Sequence, residues 1–167
     1  MSLDDVAAVS KLVTDCYTFL AGRQGFSSRQ LQRLIAERCS GDWIRQSTAL
    51  GETYVAESGG AIVGLVGVEG NEIAELWVAP DLHRTGIGSQ LFAEAECIMC
   101  RRGHTVLTVH TTGYAITFYQ AVGAHVVRKQ TCDCGPLEGW TLTYLEKELM
   151  TEANQASRPI AAKRGSG

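Results

Sequence analysis

The stretch Glu75-Leu-Trp-Val-Ala-Pro-Asp-Leu-His-Arg-Thr-Gly-Ile-Gly-Ser-Gln-Leu-Phe92 decides how this chain folds. An apolar strand runs into a proline-marked turn, a loop with glycines at 86 and 88 follows, and a helix with an apolar face begins. A glycine-rich loop that feeds a helix start turns several unpaired backbone N–H groups toward one point, beside the positive end of the helix macrodipole. Such a point binds phosphate. A Rossmann dinucleotide site would need a third glycine and an acid about twenty residues on. Leu91 stands at that glycine position and Thr105–His110 holds no acid, so the Rossmann reading fails.

Working outward, residues 2–21 place Leu3, Val6, Val9, Leu12, Val13, Cys16, Tyr17 and Leu20 at helical spacing, closed by Gly22. Ser27 is an N-cap with Gln30 at the capping-box position, and it opens a second helix through about Cys39. Residues 41–51, with Trp43, read as loop. Strands follow at Tyr54–Ala56, Ala61–Val68 and Glu72–Val78, the first two joined by a Ser58-Gly-Gly60 hairpin turn. The helix after the glycine loop carries Ile87, Leu91, Phe92, Ala95, Ile98 and Met99 on one face, with Arg101 and Arg102 in its last turn and Gly103 at its stop. A strand at 105–109, a short helix at 113–122 and strands at 124–129 and 141–146 complete the order α-α-β-β-β-α-β-α-β-β. Strands that first meander and then alternate with helices make a mixed sheet.

The 167 residues suffice for one cored domain, here 1–150, followed by a polar, flexible tail at 151–167. A net charge of −3 argues against nucleic acid as the main partner. No apolar run approaches a membrane span, and Asp4 and Asp5 stand where a signal peptide would be basic, so the expected compartment is the cytoplasm. In that setting the six cysteines are expected as free thiols, and their spacings match no common zinc pattern, so no metal is expected.

The loop His83-Arg84-Thr85-Gly86-Ile87-Gly88, with Val78 and Pro80 before it, resembles the acetyl-CoA signature of the GNAT superfamily of N-acetyltransferases. His83 departs from the usual Arg or Gln of that signature, and Arg84 stands where glycine is frequent. A second segment, Ala115-Ile-Thr-Phe-Tyr-Gln-Ala-Val-Gly123, resembles another family motif through Ala115, Phe118, Tyr119 and Gly123, with Thr112 in place of Asn and Ala124 in place of Phe. The resemblance covers about 53–147. It implies an α/β (α+β) GNAT-like domain: a mixed, mostly antiparallel sheet of six or seven strands flanked by about four helices, splayed between strands four and five.

The resemblance also implies an enzyme that moves an acetyl group from acetyl-CoA to a primary amine of a small molecule or peptide by direct attack in a ternary complex. The cofactor contacts it implies are Trp77, Val78 and Ala79, His83 through Ser89 (Arg84, Thr85, Gly86, Ile87 and Gly88 between them), Thr112, Ala115 and Tyr119. Pantetheine would pair with the backbone of 77–79, and a homodimer is the assembly the family suggests. Tyr119 would serve the departing thiolate. The amine is an ammonium at neutral pH, so a base is needed. Glu72 is the first candidate, Glu75 the second, and His110 or an ordered water stand behind them. Glu72 and Glu75 would face opposite sides of a regular strand, and only a bulge would reconcile them. The alternative is a catalytically silent module that senses acyl-CoA.

Overall fold

The computed structural model of the protein describes residues 3–150. Three helices come first: α1 (Val6–Gln24), α2 (Ser28–Arg38) and α3 (Gly41–Leu50). Strands β1 (Glu52–Ser58), β2 (Ala61–Glu69) and β3 (Glu72–Val78) lead to α4 (Ile87–Arg101). Then come β4 (Val106–Thr111), α5 (Ile116–Ala121), β5 (His125–Thr131) and β6 (Thr141–Glu148). The six strands form one sheet in the order β1-β2-β3-β4-β6-β5, in which only β3 and β4 run parallel. The mixed, mostly antiparallel expectation holds.

The helical half differs from the sequence reading in two places. Helix α1 runs through Gly22 and stops at Gly25, whose φ of 76° makes the left-handed cap. Residues 41–50 are a helix rather than a loop, because the Ser40 hydroxyl accepts the Trp43 N–H as an N-cap while Ile44 buries against α1. Among the described residues the count therefore rises to five α-helices. The Ser27–Gln30 capping box forms as expected. The tail at 151–167 lies outside the described residues.

Two apolar clusters cover the two faces of the sheet. On one, Phe92, Ala95, Ile98 and Met99 of α4 pack on Val66, Val68, Ile73, Leu107 and Leu145. On the other, Val9, Val13 and Cys16 of α1 pack with Ile44 and Leu65. Helix α4 sits close to β2 because Gly64 has no side chain. A Cβ there would lie 2.9 Å from Leu91 Cδ1 and 3.0 Å from the Trp77 carbonyl oxygen.

The sheet opens in its middle. β3 and β4 share only Glu72↔Thr108 and Ile73↔Val109, and beyond these they diverge toward the glycine loop. In this chain the opening thus lies between the third and fourth strands rather than the fourth and fifth, since three strands and not four precede α4. Two further features bend β3 away. The ladder with β2 skips a residue, with Gly67 opposite Glu75 and Val68 opposite Ile73, which leaves Ala74 as a bulge. Pro80 then ends the strand. Gly64→Ala is expected to cost about 1–3 kcal/mol by overpacking. A chemical-denaturation midpoint equal to that of the parent would refute the close approach of α4.

Candidate active site

The opening between β3 and β4 is the floor of a cleft of about 1090 Å³ that reaches from α1 and α3 to the start of α4. One end is the glycine loop. Gly86 caps α4 at φ 94°, with no side-chain cap and nothing within 4 Å of where its Cβ would be. Arg84 also holds a left-handed φ of 65°, a conformation that costs a non-glycine residue about 1–2 kcal/mol. Two left-handed residues with one between them curl the backbone so that the first-turn N–H groups of α4 meet at a point. Gly88 is small for another reason: a Cβ there would lie 3.3 Å from Phe118 Cε2. Ser89 is exposed beside this point, whereas the Thr85 hydroxyl is occupied by the Leu82 carbonyl at 2.7 Å.

His83 does not extend into this cradle. Its Nε2–H donates to the Val78 carbonyl at 3.0 Å, and the Tyr114 hydroxyl donates to its Nδ1 at 3.3 Å. These two contacts hold the ring from both nitrogens, and Phe19 packs edge-on against it at 5.1 Å. Cys16 Sγ donates to the same Val78 carbonyl at 3.3 Å, and burial pushes that thiol up to about 12, which leaves it inert as a nucleophile. Thr112 is engaged through its hydroxyl, which accepts from Gln24 Nε2 at 2.8 Å and ties α1 to the turn after β4. Ala115 packs beneath that turn against the core.

The register of β3 settles which backbone groups face the opening. Ala79 N–H donates to Val63 at 2.8 Å, so alternation along the antiparallel ladder turns the N–H and C=O of Trp77 and Glu75 toward β2 as well. The groups that face the cleft belong to Leu76 and Val78, and the Val78 carbonyl is the one taken by His83 and Cys16. Of the segment 77–79, Val78 thus turns its peptide groups to the opening, and Leu76 does the same, a residue that sequence reading missed because a bulge sets the parity. Trp77 lines the cleft with its side chain, 4.8 Å from the Tyr17 ring.

The bulge also reconciles the two acids. Ile73 and Leu76, three apart, both pack into the α4-side core, so Glu72 and Glu75 beside them face the α1 side together. Both line the cleft, but they are held differently. Glu72 Oε1 pairs with His110 Nδ1 at 2.6 Å, at a half-exposed position. Glu75 accepts a hydrogen bond from the Trp77 indole N–H, and desolvation raises its carboxyl to about 7 against that bond and the nearby Arg38 guanidinium. Tyr119, 5% exposed among Phe92 and Phe118, also lines the cleft. Burial first, and then the charge of Glu75, hold its phenol above its ordinary value, so it is a neutral donor.

The raised Glu75 carboxyl has a consequence for stability. The folded chain keeps this proton up to about pH 7, whereas the unfolded chain releases it near the ordinary 4.5. Stability is therefore lost as pH rises between these values, on the order of 3 kcal/mol in all. Glu75→Gln is expected to raise Tm at about pH 8 and to change it little near pH 4.5. A Tm difference that does not vary with pH would contradict the burial of this carboxyl.

Comparisons with known proteins agree with this geometry. The family model described as an acetyltransferase (GNAT) domain matches residues 23–137. The chain is 34% identical over 95 residues to the peptidyl-lysine N-acetyltransferase YiaC of Escherichia coli, a segment that spans 56% of this chain and 63% of that relative. Among solved structures, a GCN5-related N-acetyltransferase from Rhodopseudomonas palustris superposes with a TM-score of 0.79 at 22% identity, covering 87% of this chain and 91% of its own. The PaiA N-acetyltransferase of Thermoplasma acidophilum, solved with coenzyme A, gives 0.70 at 19% identity over 89% and 95% of the two chains. Both structural likenesses speak to fold. With the glycine loop at the head of α4, the parted strands and the family match all in one place, the chain belongs to the GNAT family of acetyltransferases.

Proposed function

We propose that this protein transfers an acetyl group from acetyl-CoA to a primary amine of a small molecule or peptide, by direct attack within a ternary complex. The observation that carries this reading is the gap between β3 and β4. It exposes the N–H of Leu76 and Val78 along a line that leads from the Gly86 loop to Glu75 and Tyr119. A pyrophosphate fits the first turn of α4, and a pantetheine arm laid in the gap completes the missing β-ladder.

With the arm so placed, a backbone N–H of Leu76 or Val78 polarises the thioester carbonyl and stabilises the oxyanion of the tetrahedral intermediate. Glu75 is better suited than Glu72 to take the ammonium proton directly, because its carboxyl titrates near neutrality and Glu72 is already paired with His110. The freed amine attacks the carbonyl carbon, its nitrogen gives up a second proton to water, the C–S bond breaks, and the amide forms. A phenol held above its ordinary value is a poor proton source for a thiolate of pKa about 8.5. Tyr119 therefore donates a hydrogen bond to the developing thiolate, which collects its proton from water on release. The chain's own thiols take no part, since the cysteine on the cleft wall nearest the strand end, Cys16, is held protonated.

Gly86→Glu places an anion and a strained φ in the cradle, and is expected to weaken acetyl-CoA binding by about a hundredfold or more in calorimetric titration. Unchanged binding would sink the cofactor site. Glu75→Gln is expected to lower kcat/KM by about 10²–10⁴ and to remove a limb of the pH profile that rises through about 7. If that limb survives in Glu75→Gln and vanishes in Glu72→Gln, Glu72 is the base. Tyr119→Phe should lower kcat by roughly tenfold to a hundredfold while acetyl-CoA still binds. Tight acetyl-CoA binding with no thiol release on any amine would favour the sensor reading.

A further inference from the structure

The cleft carries a cation that the acetyl-transfer reading does not use. Arg38, the last residue of α2, lines the cleft on the α1 side, and its guanidinium lies over the Trp43 indole at 5.4 Å from the ring centre. That contact orients the planar group without neutralising it. Two acids of the cleft wall have donors of their own. Glu72 has His110, and Glu75 has the Trp77 indole N–H. Among the described residues no carboxylate comes within ion-pair distance of Arg38. Trp43, Tyr17 and Trp77 pack in one apolar cluster, so the guanidinium over Trp43 stands on the side of the sheet that Glu75 faces, where its charge opposes the rise of the Glu75 carboxyl.

We infer that Arg38 is a specificity residue that receives a carboxylate of the acceptor, so the amine acetylated here belongs to an amino acid or another compact amino-carboxylate. This rests on the proposed transfer reaction and narrows its substrate. A guanidinium fork matches a carboxylate in a bidentate way that no neutral amide reproduces. An α-amino acid carries its amine only two bonds from its carboxyl carbon, which suits a base and an arginine that line one cleft on the same side of the sheet. The rings of Tyr17, Trp43 and Trp77 around this point offer flat apolar walls to a side chain. The competing acceptor, a lysine side chain in a basic peptide, would bring a second cation toward Arg38 and would instead use the exposed Glu69 at the rim.

The test is thiol release from acetyl-CoA with matched acceptors: free phenylalanine, methionine and threonine, their carboxamides, and a lysine-containing peptide blocked at both ends. Calorimetric titration of acetyl-CoA runs alongside. The expected result is a kcat/KM at least about tenfold higher for the free acids than for their amides. Arg38→Gln should erase that preference by raising KM for the acids far more than for the amides, while the loss of the cation moves the Glu75 limb of the pH profile upward by the same amount for both acceptors. Arg38→Lys should restore only part of it. Amides used as well as acids, turnover confined to the blocked lysine peptide, or an equal loss for acids and amides in Arg38→Gln would each overturn the assignment while leaving acetyl transfer intact. Acetyl-CoA that fails to bind, or binds without any thiol release, would overturn the transfer reading and this inference with it.

Discussion

Everything in this molecule that bears on acetyl transfer depends on the parting of β3 from β4. A parallel pair that met along its whole length would satisfy every backbone group of Leu76 and Val78 and leave no slot for an extended ligand. Two paired positions hold the strands together at Glu72 and Ile73, and the Asn71 carbonyl adds a bond from the Thr108 N–H at 2.8 Å. Beyond these the unpaired groups are tolerable because they border a cleft rather than a dry core.

The bulge at Ala74 does a second job with the same irregularity. It moves Glu75 and Trp77 to the α1 face, in step with Glu72, so that both acids approach the cleft from one side. It also chooses Leu76 and Val78 as the residues whose peptide groups face the gap. Desolvation of the half-buried Glu75 carboxyl lowers stability at neutral pH, and the same desolvation suits it to the role of base proposed for it.

The departures from the family's loop signature find a physical account in the same region. His83 supports the site from behind: its ring holds the Val78 carbonyl and is itself held by Tyr114 and Phe19. The cradle proposed for phosphate would be built from backbone N–H groups, so the side chain at position 83 is free to take this bracing role. Arg84 adopts the left-handed conformation that glycine would take without strain. Thr112 ties the turn after β4 to Gln24 at the end of α1, which links the wall of the cleft to its floor.

The glycine loop, the helix after it and the order of strands and helices were legible in the sequence because each is a local matter of turn chemistry, capping and periodicity. The Ser27 capping box, the Gly-Gly hairpin and the apolar face of α4 belong to that class. Helix α3 escaped, since its ten residues carry too few apolar positions to show a period and its stability comes from Ile44 docking on α1. The parity of β3 was open for a different reason: a one-residue bulge leaves no compositional trace, yet it reverses which side chains and which peptide groups face the cleft. The partnerships of Glu72 with His110 and of Val78 with His83 and Cys16, and the placing of Arg38 near Glu75, join residues far apart along the chain. Sequence alone determined that a glycine-rich loop heads α4. Only the packing of α1, α2 and α3 over the parted sheet decided which acid is most desolvated, which backbone groups face the opening and which cation stands in the cleft.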